Sequence, residues 1–449
     1  MKSTNNVYRN YSEIIAKNNH IEAEQFVKFN VKRGLRNADG TGVLVGLTEV
    51  GEVHAYVVDE KEKVPVEGRL RYRGIDIFDF VKGFQEEKRF GFEECCYLLL
   101  FGELPTKEAL DSFTQLLGSR RELPAGFYSD MILKAPSKDI MNKLARCVLA
   151  SYSYDENADD TSLENTLRQC IELIARFPAF AAYGYQAKIH YHDGQSMYIH
   201  SPKSELGTAE NILRMIRFDS TYTKSEAEIL DLALVLHAEH GGGNNSTFAT
   251  RVVSSSGTDT YSAIAAAIGS LKGPKHGGAN IKVMQMMNDI KRNVSNWSSE
   301  GEIADYLAKI LRKEAFDGSG LIYGIGHAVY TVSDPRTIVL KQKAAQLAKE
   351  KGIEEEFNLF TSIEKLAPEV FHSLKKSDKV VCTNVDFYSG FVYKALNIPQ
   401  ELFTPLFAIS RISGWSAHLL EELINGGKII RPAYKNVIGK TPYVPMHQR

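Results

Sequence analysis

The eleven residues Tyr261–Leu271 read YSAIAAAIGSL, small or apolar at almost every position and without a charge. A helix of that composition offers water no polar face, so it is expected to be buried on every side by other helices. One such run already demands a large helical body, and the 449-residue chain is longer than a single core commonly serves, so two domains are expected. Helix punctuation recurs along the chain. Phe92–Phe101 (FEECCYLLLF) is followed by Gly102 as a left-handed cap, and Thr106 opens the next helix beyond Pro105. Thr223-Lys-Ser-Glu226 and Ser225-Glu-Ala-Glu228 offer two overlapping capping boxes ahead of Ile229–Leu236. Asp334-Pro335 marks a helix start that runs to about Lys351, where Gly352 stops it; Thr404-Pro405 repeats the device ahead of a long apolar helix ending at Gly426-Gly427.

Extended structure is expected in one place only. Gly42–Val58 (GVLVGLTEVGEVHAYVV) reads as a small β-hairpin, and Gly68–Ile77 (GRLRYRGIDI) as another short extended piece. The fold class is therefore mainly α with a small N-terminal β element. Residues 1–35 form a polar, partly helical leader, and a polar, lysine-rich stretch from about Asn288 to Lys379 is a candidate second domain.

The formal net charge of −1 provides no global field for nucleic acid or an acidic membrane, so an anionic substrate must be met by local cations. Five scattered cysteines (Cys95, Cys96, Cys147, Cys170, Cys382) with no CxxC pair point to reduced thiols and away from a disulfide framework or zinc ribbon. The polar N-terminus lacks the apolar core of a signal peptide, and no run of eighteen apolar residues occurs. A soluble, cytoplasmic protein is the expectation.

Three histidines stand beside glycine-rich segments: His240 in His237-Ala-Glu-His240-Gly-Gly-Gly-Asn244, His276 in Gly273-Pro-Lys-His276-Gly-Gly-Ala-Asn280, and His327 in Gly324-Ile-Gly326-His327. Glycine allows close backbone approach to a ligand, so three such loops suggest one small-molecule site; singly, each histidine reads as a satisfied structural residue. His237 and His240 fall on one face if helical, but HxxH is not HExxH and lacks a paired acidic ligand, so no metal is expected. Among the arginines, Arg336 lies at the start of the Asp334-Pro335 helix and Arg431 follows the double glycine, both compatible with plain surface charge. Arg411 differs, because PLFAISRISGW surrounds it with apolar residues, and a buried guanidinium needs an anion. Asn384 is a natural N-cap that puts Asp386 in a first helical turn, where the helix dipole favours an ionised carboxylate; alone, such a residue does no more than cap.

In order and spacing, HAEHGGGNNST, GPKHGGAN, GIGHAVYTVSDPR, NVDFYSG, FAISRISGW and IIRP resemble the citrate synthase family, and RYRGIDI and FEECCYLLLFGELP match its N-terminal half. The likeness spans roughly residues 35 to 440. It implies a two-domain, almost wholly helical fold: a large domain over 36–284 and 396–449, and a small one over 285–395. It also implies a homodimer with an active site shared between subunits, and an acyltransferase of the si type that uses acetyl-CoA as a substrate and needs no cofactor. By the same resemblance Asp386 is the base, His276 the donor to the enol oxygen, and His327 the polarising group on the ketone of oxaloacetate. His240, Arg336 and Arg411 hold that substrate, with Arg431 reaching in from the second subunit.

Departures concern coenzyme A. Many bacterial members carry arginine after the third histidine where Ala328 stands, and mitochondrial-type members carry Arg and Lys where this chain has Thr331 and Val332. Phosphate binding is therefore assigned to Lys272 and Lys275, with Gly324 and Gly326 also at the coenzyme. The SDPR and VYT pattern equally resembles 2-methylcitrate synthases, which use propionyl-CoA; one methylene is worth only about 1–3 kcal/mol of discrimination. A non-catalytic helical scaffold would have no need of the seven polar site residues, and a hydrolase built on His237 and His240 would require zinc.

Overall fold

In a computed structural model of the protein, the structure describes residues 2–59, 62–327, 329–376 and 380–449; Ala328, singled out above, lies outside them. The chain divides into two compact units, Met1–Leu47 and Thr48–Arg449. The first holds a helix over Lys2–Asn18, a short one over Ala23–Lys28 and a single 3-10 turn at Arg33–Leu35.

The second unit opens with an antiparallel sheet of three strands, β1 (Gly51–Asp59), β2 (Glu62–Tyr72) and β3 (Ile75–Asp76), in the order β1-β2-β3. The expected hairpin within Gly42–Val58 is corrected: only its second half is a strand, and its partner comes from residues 62–72. A strand needs an alternating partner to bury its face, and Leu70 and Tyr72 supply one, both fully buried. Among the described residues, all other regular elements are helical.

Gly102 takes φ +84 and caps Phe92–Phe101, and Thr106 accepts from Ala109 N to open Lys107–Ser119. Of the two overlapping boxes the fold uses Thr223 with Glu226, and the helix runs Lys224–His237. The Glu226 carboxylate also binds Arg217 and Lys351, a tertiary reason for that choice. Asp334 caps Pro335–Lys351, and Gly352 ends it at φ +65.

Two expectations are revised. The long C-terminal helix begins at Phe403, before Thr404-Pro405, so Pro405 sits inside its first turn, where a missing N–H leaves nothing unsatisfied. Thr404 does not cap; its hydroxyl donates to the carbonyl of Gly277 at 3.2 Å. The helix Thr260–Lys272 is buried on one broad face, through Tyr261, Ala263, Ile264, Ala267, Ile268 and Leu271, whereas Gly269 is exposed. The central support is the helix Phe403–Ile424, buried continuously from Phe403 to Leu420 and packed against Leu163–Asp193. Its sequence is apolar on all faces, so the polar residues it carries are buried with it. Arg411 and His418 are among them.

Candidate active site

The helix Lys224–His237 ends at His237, whose ring shares a 2.7 Å hydrogen bond with the carbonyl of Ala233. Burial pushes that imidazole down to about 3, so His237 is a neutral core residue. His240 follows on a non-helical turn closed by Gly241 at φ +84, so the two rings do not share a helix face. The fully buried Glu239 carboxylate shapes the turn by accepting from Gly241 N and pairing with His418 Nε2 at 3.0 Å. His240 is buried and its Nε2 has no protein partner. Burial, then the charges of Arg336, His327, Arg411 and His276, hold it well below the ordinary imidazole range.

His327 is fixed through Nδ1, which accepts from the backbone N–H groups of Val329 and Tyr330, both at 3.0 Å. A neutral ring that accepts at Nδ1 carries its hydrogen on Nε2. Arg336 Nη2 lies 3.5 Å from that Nε2. Both atoms are donors, so neither accepts from the other and each is left to meet an acceptor oxygen. Burial, followed by the charge of Arg336, lowers His327 to about 4. Arg336 is itself buried and held in a fork by Asp334, with Nε to Oδ1 at 3.0 Å and Nη2 to Oδ2 at 2.8 Å. Asp334 also accepts from Val385 N at 3.2 Å, tying the starts of two helices together.

Asp386 stands in the first turn of Val385–Ala395, where Asn384 accepts its backbone N–H at 3.0 Å. Its Oδ1 is buried with no partner. Burial raises its pKa to about 6, against the lowering pull of Arg336 and Arg411. The expected dipole effect is thus outweighed by desolvation, yet the group is still mostly ionised at neutral pH. The Gly324–Gly326 loop is bound to this helix start: Ile325 bridges Thr383, and Asn384 donates to the Gly326 carbonyl at 2.8 Å. At Gly324, φ is +83 and a Cβ would come within 2.7 Å of Phe387; at Gly326, φ is +91 and the space beside Cα is open.

Arg411 is fully buried, with Nη1 and Nη2 lacking any hydrogen-bond partner. Its guanidinium lies 4.7 Å from the Phe407 ring centre, and Phe407 also meets the rings of His237 and His276 edge-on. Burial lowers the arginine to about 10, so it stays charged at neutral pH. His276 Nε2 lies 3.0 Å from Ser246 Oγ, which also receives Trp415 Nε1–H at 3.1 Å. Burial, then Arg411, lowers His276 to about 4.

His240 is thus within electrostatic reach of His276, His327, Arg336 and Arg411, and Asp386 within reach of Arg336 and Arg411. Arg431 is not joined to them; it is exposed on the non-helical stretch after Ile424. Lys272 lies 3.2 Å from Asp139, and Lys275 is exposed on the turn before His276. No group of three metal-ligating side chains occurs among the described residues. Residue-by-residue inspection of the sequence passes over Tyr330, Phe407, Ser246 and Glu239. All four stand inside the quoted motifs, but the sequence gives them no role there, since their contacts span long stretches of chain.

One helical body thus carries neutral histidines, a carboxylate raised to about 6 and a buried arginine with two unpartnered donor nitrogens. A family model described as citrate synthase, C-terminal domain, matches residues 39–433. The citrate synthase of Haloferax volcanii is 36% identical over 81% of this chain and 88% of its own. The 2-methylcitrate synthase of Shewanella oneidensis is 32% identical over 83% and 89%. The solved structure of citrate synthase from Pyrobaculum aerophilum superposes with a TM-score of 0.73 at 30% identity, covering 91% of this chain and 94% of that one. The chain belongs to the citrate synthase family, an acyltransferase family, and its mainly helical fold is the fold of those structures.

Proposed function

We propose that the protein condenses acetyl-CoA with oxaloacetate and hydrolyses the resulting citryl-CoA to citrate and CoA. The observation that carries this reading is the Arg411 guanidinium, buried, charged and with two free donor nitrogens, in electrostatic reach of Arg336 and Asp386. A dicarboxylate supplies the missing acceptors. The neighbouring donors His327 Nε2 and Arg336 Nη2 take two oxygens of oxaloacetate, the ketone at His327 and a carboxylate at Arg336. His240 Nε2 supplies a further polar contact.

Asp386, ionised at neutral pH, removes a proton from the acetyl methyl group. The enol oxygen that develops is stabilised by His276 as a neutral donor. Ser246 has one proton to place between Asn244 Oδ1 and His276 Nε2, both at 3.0 Å. Given to His276, with the Asn244 amide turned so that its NH2 faces Ser246, that proton makes Nδ1–H the free donor of His276. The enol carbon then attacks the ketone carbon while His327 Nε2–H hydrogen-bonds the ketone oxygen, which ends with a proton in place of the one Asp386 removed from the methyl group, and water cleaves the thioester.

His240, His276 and Arg411 fall in the proposed large domain (36–284 and 396–449), and His327, Arg336 and Asp386 in the proposed small domain (285–395), so closure of one on the other would assemble the site. A homodimer is proposed with Arg431 completing the partner's site; its exposed position on a non-helical segment is compatible with that reach. Lys272 and Lys275 are proposed for the CoA phosphates beside Gly324 and Gly326; an unchanged acyl-CoA KM in both Lys→Ala variants removes that assignment. The five cysteines are free, which accords with a cytoplasmic setting, and no described helix is long and apolar enough to cross a membrane. A 2-methylcitrate reading is kept because relatives of that name match at 32% and 34% identity.

The test is release of CoA, followed with a thiol reagent, from oxaloacetate with acetyl-CoA and separately with propionyl-CoA, using Asp386→Ala as control. Preference for acetyl-CoA, abolished in the variant, is expected. Preference for propionyl-CoA moves the protein to the methylcitrate branch, and no oxaloacetate-dependent release with either ends the enzymatic reading.

A further inference from the structure

Tyr330 lies at the centre of three contacts that none of the motif residues explains. Its ring is stacked on His327, with centroids 4.8 Å apart and planes at 28°. His240 meets both rings edge-on, at 5.4 Å from Tyr330 and 5.3 Å from His327. The Arg336 guanidinium carbon lies 5.8 Å from the Tyr330 ring centre. One aromatic residue thus touches three of the side chains that would hold oxaloacetate.

The same residue is anchored from outside the site. Tyr330 is 1% exposed, and its hydroxyl donates to the carbonyl of Arg69 on β2 at 3.4 Å. One residue earlier, Gly68 N donates to Ser333 Oγ at 3.2 Å, and a Cβ at Gly68 would lie 2.5 Å from Tyr330 Cδ1. β2 is therefore pressed against the segment that carries His327. The Tyr330 backbone N–H completes the arrangement by donating to His327 Nδ1.

We infer that Tyr330 is a positioning residue for oxaloacetate binding: its ring face fixes the plane of His327, and its seat against β2 holds that plane in register with His240 and Arg336. The physical basis is that a donor aimed at a substrate oxygen loses its value within a few tenths of an ångström. A stacked ring removes the rotation about the imidazole's side-chain bonds that would allow such drift. The backbone bonds to Nδ1 set the tautomer, and the stack sets the tilt. Tyr330 does not itself touch the reacting atoms.

This inference rests on the proposed reading of the site, and the experiment separates the two. Tyr330→Phe keeps the ring, while Tyr330→Leu and Tyr330→Met keep apolar volume without it; two non-aromatic variants guard against one failing to fold, checked by thermal melting. Oxaloacetate binding by calorimetry and steady-state kinetics with acetyl-CoA are measured on all four proteins. The expected result is an oxaloacetate Kd and KM raised at least tenfold in the non-aromatic variants, with the acetyl-CoA KM within threefold of wild type and Tyr330→Phe restoring the affinity to within threefold. Unchanged oxaloacetate affinity without the ring overturns the inference, as does equal loss in Phe and Leu variants or a parallel rise of both KM values. Wild-type protein that binds oxaloacetate without turning over would end the proposed reaction, yet the binding series would still decide the role of Tyr330. Wild-type protein that does not bind oxaloacetate overturns both.

Discussion

Arg411 Nε donates to the carbonyl oxygen of His237 at 2.6 Å, and this bond, within a fully buried helix, leaves both terminal nitrogens of the guanidinium unpartnered. The arrangement destabilises the empty protein, because a buried charge without a bonded counter-ion is unfavourable, and it favours an arriving carboxylate for the same reason. Arg411→Met is therefore expected to separate stability from binding. Its melting temperature should match or exceed that of wild type, while oxaloacetate affinity falls by at least about thirtyfold, the lower end of about 2–5 kcal/mol for a truncated buried charge pair. Thermal shift with and without oxaloacetate checks both at once: the ligand should raise the melting point of wild type only.

The proposed base, Asp386, is expected to set the acid limb of activity. A base held at about 6 must be deprotonated to act, so kcat/KM should be flat above that pH and fall tenfold per unit below it. His276 and His327, at about 4, titrate too low to shape that limb. A limb centred near pH 4 would show that the base is held in the ordinary carboxylate range. Asp386→Asn should lower kcat by about 10²–10⁴ across the profile.

The buried histidines make stability fall with acid. His237 is lowered to about 3, His276 and His327 to about 4, and His240 well below its ordinary value, all primarily by burial. Below about 6.5 the unfolded chain takes up protons that these folded rings refuse, so their stabilisation is complete above that pH and is lost progressively towards pH 4. Asp386 opposes the trend between about 6 and its unfolded value, and Asp231, raised by burial, and His418, raised where pairing with Glu239 outweighs burial, act in the same sense, so three groups stand against four. Calorimetric melting from pH 7.5 down to 4.5 should show a steady fall, and His327→Gln should make it shallower.

Gly68 and Gly83 should respond oppositely to alanine. At Gly68 the new Cβ would lie 2.2 Å from the backbone oxygen of Ser333 and 2.5 Å from Tyr330, so the segment behind His327 must move. Gly68→Ala should lower both melting temperature and oxaloacetate affinity. Gly83, exposed in the helix Ile77–Glu86 with nothing within 4 Å, should gain up to about 1 kcal/mol as Gly83→Ala without a change in activity.

Much of the fold and half of the site's logic were legible along the chain. Gly102, the Thr223–Glu226 box, Asp334-Pro335, and Asn384 with Asp386 could be read because a cap is a relation among residues within about four positions. The apolar environment of Arg411 was likewise written in its own helix. The partner of β1, the diversion of Thr404 from capping to the Gly277 carbonyl, and the separation of a core His237 from a site-facing His240 were decided elsewhere. Tyr330 on His327, Asp334 across to Val385, and the rise of Asp386 to about 6 likewise depend on what surrounds each group after packing. Local hydrogen-bonding and periodicity therefore determined the elements and the residue types available for chemistry. Only the tertiary structure, which sets desolvation and orientation through contacts tens to hundreds of residues apart, decided which of those residues are neutral, charged or open to a ligand.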